Sequence, residues 1–185
     1  NIPNPPQAST LRKHSARYVL ALITSSSALF AASSTWNLNN SGNWSTSANW
    51  SPANVPGLGN TTGNQDTATF GSVITADRAI SLPSNWSIKN FVFNASHRYT
   101  ISGGDMRYTS GGVAEILSGA TGSAVLSSNS AFYGSYTFLS NGAVGSTLTV
   151  GNGNLNTIAN SGAINLTLGG ARSEEHTSEL QSPLN

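Results

Sequence analysis

Short runs that alternate apolar and polar residues, each closed by a cluster of Gly, Asn or Ser, recur from Thr35 to Ala171. In Ile164–Leu168 the alternation sends Ile164, Leu166 and Leu168 to one face and Asn165 and Thr167 to the other, and Gly169-Gly170 ends the run. The same pattern predicts strands at 67–70, 79–82, 88–93, 99–101, 113–117, 124–126, 133–139, 147–150, 155–158 and 164–168. Connectors such as Ser102-Gly103-Gly104, Gly151-Asn152-Gly153-Asn154 and Asn160-Ser161-Gly162 suit tight corners with left-handed backbone angles. Two or three strands with their corners make one coil of roughly 20 to 25 residues, within the range of solenoid repeats. The predicted fold is therefore all-β, a parallel β-helix or β-solenoid. A spacing of about 8 to 12 residues between strands also suits an antiparallel β-sandwich, which stays open as the alternative.

Energetics favour stacking. Burying a Leu, Ile or Phe contributes ~1.5 to 3 kcal/mol, while ordering each backbone residue costs ~1 to 2 kcal/mol. A coil with four or five apolar side chains cannot stand alone, so neighbouring coils must cover it. The first coil then needs a cap. Residues 35–70 carry Trp36, Trp44 and Trp50 with Pro52 and Pro56, and repeat Asn-Trp-Ser at Asn43 and Asn49, an echo of Asn85-Trp86-Ser87. Large rings of this kind are suited to closing the end of a narrow core.

The two ends read differently from the body. Leu11 to Arg17 is basic, Tyr18 to Ala32 is mostly apolar, and Ala31, Ala32, Ser33 and Ser34 are small, the three-part order of a secretory signal peptide. The apolar run is shorter than a spanning helix needs and is interrupted by Ser25-Ser26-Ser27. Cleavage is expected between Ala31 and Ser34. The last fourteen residues, 172–185, hold three of the seven acids and resemble the in-frame translation of a sequencing adapter; they are set aside as a non-native tail. The organisation expected is thus a leader at 1–34, a Trp-rich capping segment at 35–70, solenoid repeats at 71–171 and the tail. The folded part, about 137 residues, is enough for one domain.

The net charge of +1 belongs to those ends. Within the body Arg78, Lys89, Arg98 and Arg107 balance Asp66, Asp77, Asp105 and Glu115. No basic stripe is present, which argues against nucleic-acid binding. The absence of cysteine leaves packing and backbone hydrogen bonds to stabilise an exported chain.

Trp36 to Phe70, with Gly42-Asn43-Trp44-Ser45, a second Trp, a Pro/Gly loop and Asp66-Thr67-Ala68-Thr69-Phe70, resembles the N-terminal region of bacterial proteins with autotransporter-associated β-strand repeats. Phe91-Val92-Phe93-Asn94, Tyr99-Thr100-Ile101-Ser102-Gly103 and Asn165 to Ala171 extend the likeness over nearly the whole body. The resemblance implies a right-handed parallel β-helix passenger, displayed on or released from a Gram-negative-type cell. A full member also carries an outer-membrane barrel or an anchoring signal at its C-terminus, absent from this sequence, so contact with the outer membrane is expected only through such a region.

No catalytic pattern stands out. His97 is the one histidine of the body, and the four acids are scattered without a motif that would join nucleophile, base and orienting acid. Only Asp77-Arg78 and Asp105-Met106-Arg107 hint at a site, and surface ion pairs are the simpler reading. Neither a cofactor nor a metal is expected: Gly151-Asn152-Gly153-Asn154 lacks the Asp of calcium-binding repeats and the Lys of a phosphate loop. The expected role is a non-enzymatic structural passenger for surface display or adhesion, with surface glycans or host matrix components as partners. One alternative is a carbohydrate-binding module in which Trp44, Trp50 and Trp86 stack on sugar rings. Another is a β-helical polysaccharide lyase or hydrolase.

Overall fold

The computed structural model describes residues 32–57, 61–151, 155–157 and 164–171, of which 155–157 are described as backbone. Residues 1–31, 58–60, 152–154, 158–163 and 172–185 lie outside the described residues, and with them the expected leader up to Ala31, the expected tail and the connectors expected at 152–154 and 160–162.

Among the described residues fourteen strands follow in order: β1 (Ser34–Trp36), β2 (Gly42–Asn43), β3 (Trp50–Ser51), β4 (Thr67–Phe70), β5 (Arg78–Leu82), β6 (Trp86–Phe93), β7 (Tyr99–Gly103), β8 (Asp105–Ile116), β9 (Ala124–Leu126), β10 (Asn129–Phe132), β11 (Tyr136–Ser140), β12 (Leu148–Val150), β13 (Leu155–Thr157) and β14 (Leu166–Gly169). A 3₁₀ turn, Ser47–Asn49, precedes β3. Two ladders result. One runs β13-β10-β8-β6-β4-β1-β3, with β11 beside β8 and β14 beside β11, and the other runs β12-β9-β7-β5-β2. Every described strand except β3 pairs in parallel with its counterpart one coil away, as in β4–β6, β6–β8, β5–β7 and β7–β9. The chain is a parallel β-solenoid, and the antiparallel sandwich does not hold. Among the described strands the one antiparallel pair is β1–β3, at the capped end.

Register gives the coil length. Ala68 lies beside Phe91, Phe91 beside Ala114 and Ala114 beside Phe138, returns of 23, 23 and 24 residues. Inward columns follow from the period-two alternation: Ala68, Phe91, Ala114 and Phe138 stack in one, and Phe70, Phe93 and Ile116 in the next, all buried. On the second ladder Ile80, Ile101 and Leu126 stack likewise. Aromatic rings dominate this interior. Phe70 and Phe93 lie 5.0 Å apart and nearly parallel, as do Tyr108 and Phe132 at 4.8 Å.

Several strand limits differ from the sequence expectation. β8 extends from Asp105 rather than Val113, because Gly111-Gly112 does not break the strand; it turns the chain beneath the Tyr136 ring. Asn129–Phe132 forms a strand that the sequence pattern misses, since its burial reads exposed then thrice buried instead of alternating. Tyr133 to Ser135 is a corner, so β11 begins only at Tyr136. Leu166 and Leu168 pair with Tyr136 and Phe138 and so continue the inward columns, yet Leu168 is 78% exposed because β14 has only β11 as a described neighbour.

Candidate functional site

Trp44 is the hub of the capped end. Its ring meets Trp50 at 4.8 Å, Phe70 at 6.0 Å, Phe91 at 6.1 Å and Trp86 at 6.4 Å, and Trp36 meets Trp50 edge-on at 5.2 Å. All four tryptophans are buried. Burial of an indole is best served by a partner for its N–H, which three of the four have and Trp86 lacks among the described residues. Trp36 donates to the Leu38 carbonyl, Trp44 to Pro56 and Trp50 to the Trp44 carbonyl, at 2.9, 2.9 and 2.8 Å. The faces of Trp44, Trp50 and Trp86 are thus occupied by other rings, and the planes of Trp44 and Trp50 cross at 68°. All three residues considered for sugar stacking are thus buried, in contact with one another at the capped end.

Beneath the cap lies a buried carboxylate. Asp66 closes the loop between β3 and β4, and its Oδ2 accepts from the Gly57 backbone N–H at 2.7 Å and the Asn64 amide at 3.0 Å. Its Oδ1 accepts from the Ala32 backbone N–H at 2.6 Å. Asn64 returns the contact, accepting from the Asp66 N–H at 2.7 Å. Gly57 fits because its φ is +84° and a Cβ would come within 2.7 Å of the Ser87 carbonyl oxygen. Of the small residues at the expected cleavage region, Ala32, Ser33 and Ser34 are described; Ala31 lies outside. Ser34 already belongs to β1 and is buried against the coil that follows, paired with Ala68.

On the outer surface, a polar band crosses β6, β8 and β10. Asp105 and Arg107 project from the same side of β8 because they are two residues apart. Asn129 donates to Asp105 Oδ1 at 3.0 Å, and Arg107 Nη1 donates to the Tyr133 hydroxyl at 3.1 Å. With its amide oriented to suit both neighbours, Asn85 donates to Asp105 Oδ2 and accepts from Arg107 Nη2, each at 3.1 Å. This array presents fixed donors and acceptors from three successive coils. It can recognise a hydroxyl-rich or carboxylate-bearing ligand by hydrogen bonding. The Asp105-Met106-Arg107 spacing was its signal in the sequence; Asn85, Asn129 and Tyr133 join it only through register across coils. The second hint, Asp77, bonds to the Arg98 guanidinium at 3.1 Å with both side chains half exposed, a pair of little energetic weight.

Three tyrosines sit inside. Burial pushes the phenols of Tyr99, Tyr108 and Tyr136 well above their ordinary range; Arg78 offsets part of this at Tyr99, the Ser130 hydroxyl part of it at Tyr108, and Tyr108 adds to it at Tyr136. Tyr99 donates to the Gly71 carbonyl and Tyr136 to the Lys89 carbonyl, at 2.9 and 2.8 Å. Tyr99 and Tyr136 act as cross-coil ties in their neutral form. Among the described residues no three His, Asp or Glu side chains are grouped as metal ligands would be.

No protein-family profile, curated protein or solved structure is found to match this chain. Fold and surface together place it in a class, the capped parallel β-solenoids, whose stacked coils display a side surface.

Proposed function

We propose that this chain is an exported, non-enzymatic structural passenger of the autotransporter-associated repeat type, a scaffold for surface display or adhesion. The observation that carries this reading is the uninterrupted inward stack from Trp36 to Phe138, closed at the Trp end, with polar residues turned outward on each coil. Such an arrangement devotes its apolar residues to length and rigidity and leaves the side surface to make contacts. The leader-like N-terminus supports export, and the near-neutral body supports contact with uncharged or weakly charged surface material such as glycans and matrix proteins. The polar band at Asn85, Asp105, Arg107 and Tyr133 is the face for such contact.

The test joins localisation and binding. Expressed with its leader in a Gram-negative host, the chain is expected outside the cytoplasm, and the purified solenoid is expected to bind immobilised glycans or matrix components. Arg107→Ala lowers that binding while leaving the circular dichroism spectrum unchanged. Release of new reducing ends or unsaturated sugars from polysaccharides would replace the scaffold reading with a lyase or hydrolase.

A further inference from the structure

Asp66 is a charged side chain buried at the start of the solenoid, and its carboxylate gathers three donors, from Gly57, Asn64 and Ala32. Two of these donors belong to the loop that Asp66 itself closes. The third is the backbone nitrogen of Ala32, 34 residues away and two residues before β1. A carboxylate removed from water is best served by a positive partner, since charge-assisted hydrogen bonds are roughly twice as strong as neutral ones. Within the described residues, the cations Arg78, Lys89, Arg98 and Arg107 make their recorded side-chain contacts elsewhere, with Asn39, Gln65, Asp77 and Tyr133.

We propose that the Ala31–Ala32 peptide bond is the processing point of the leader and that the α-ammonium freed at Ala32 docks on Asp66. This rests on the export reading. Hydrolysis supplies the charge without any further reactant: water adds its oxygen to the Ala31 carbonyl carbon, the C–N bond breaks, Ala31 leaves as a carboxylate and the Ala32 nitrogen takes up the protons to become an ammonium. The enzyme class needed is an endopeptidase that cuts after small residues. Of the bonds in the window from Ala31 to Ser34, only the one before Ala32 keeps the donor on Asp66. A cut after Ala32 or Ser33 removes that nitrogen, and a cut after Ser34 also removes the buried residue that pairs with Ala68. Ala32 is half-buried and Ser33 exposed, so the new terminus lies at the rim of the carboxylate site, where an ammonium keeps part of its hydration. Processing thereby turns a backbone contact into an ion pair that fastens the first coil, and the uncut precursor lacks it.

Two arms test this. In the first, the full chain is expressed with its leader and the exported product is analysed by intact mass and N-terminal sequencing. A start at Ala32 is expected. A start at Ser33, Ser34 or Thr35 overturns the inference and leaves export standing, whereas an uncut chain retained in the cytoplasm overturns both. In the second arm, which does not depend on export, a chain released at Ala32 from a removable fusion is compared with the same chain acetylated at its α-amine in denaturant and refolded. The free amine is expected to raise Tm by about 3 to 5 °C. In Asp66→Asn, which keeps the shape and removes the charge, that difference is expected to vanish. Equal Tm values for the free and acetylated chains overturn the docking, and so does a difference that survives Asp66→Asn. Both chains carry Lys89→Arg, which removes the one side-chain amine that acetylation would also modify, so the comparison stands even if Asp66→Asn fails to fold.

Discussion

Replacing Trp44 with alanine asks whether the tryptophans hold the solenoid together. The ring is fully buried and touches Trp50, Trp86, Phe70 and Phe91, so its removal opens a cavity at the meeting point of four aromatic side chains. Truncations of this size cost about 3 to 5 kcal/mol. The Pro56 carbonyl also loses the indole N–H that it accepts at 2.9 Å, which adds about 1 kcal/mol. Together that is about 4 to 6 kcal/mol, a large share of the ~5 to 15 kcal/mol that a domain possesses. With a urea m-value near 2 kcal/mol/M, the midpoint followed by far-ultraviolet circular dichroism is expected to fall by about 2 to 3 M. Trp44→Phe keeps most of the filling and loses the N–H, so about 1 to 2 kcal/mol is expected. The damage is expected to be local, since each coil rests mainly on its neighbours. Amide exchange should quicken in β1, β4 and β5 while β9 and β11 keep their protection. A midpoint lowered by less than about 0.5 M, or protection lost evenly along the molecule, would refute the capping role.

Two further outcomes follow from the interior. A Cβ at Gly112 would fall on the Lys89 carbonyl oxygen and the edge of the Tyr136 ring, so Gly112→Ala is expected to cost about 2 to 3 kcal/mol, whereas Gly71→Ala, with open space around it, costs less than about 0.5 kcal/mol; equal urea midpoints for the pair would show that β8 has room at its bend. The neutral phenols of Tyr108 and Tyr136 stabilise the fold fully below the unfolded pKa near 10, and this contribution is lost as pH rises toward their raised folded values. Each removes about 1.4 kcal/mol per pH unit once the unfolded phenol is ionised and the folded one is not, so phenolate absorbance at 295 nm and loss of circular dichroism should rise together above about pH 11. Ionisation of both near pH 10 with the spectrum intact contradicts their burial.

How much of this was legible depended on distance along the chain. Ala124–Leu126 and Thr67–Phe70 were read from the sequence with the limits that the structure has, because alternation is a local property that five residues can carry. The coil length was legible too, from two or three short strands with their corners per coil. The Trp-rich segment was legible as a cap through its composition, though its hub was not: nothing in Asn43-Trp44-Ser45 says that the indole N–H reaches Pro56. Asn129–Phe132 was missed because Ser130, an inward residue, is polar where the alternation rule expects an apolar side chain.

Local patterning thus settled that the chain forms short strands with tight corners, that one coil cannot stand unaided, and that packing rather than disulfides must stabilise a chain without cysteine. Those properties depend on residues within a few positions of each other, so one dimension suffices to see them. Which partner lies in the next coil is a different matter. Tyr136 meets Lys89 across 47 residues, Ala32 meets Asp66 across 34, and Asn85, Asp105, Arg107 and Asn129 become one surface only after the coils stack in register. A shift of one residue in that register would turn every side chain of a strand to the opposite face. The carboxylate site and the polar band are therefore products of stacking, and the alternation that builds the strands is silent about them.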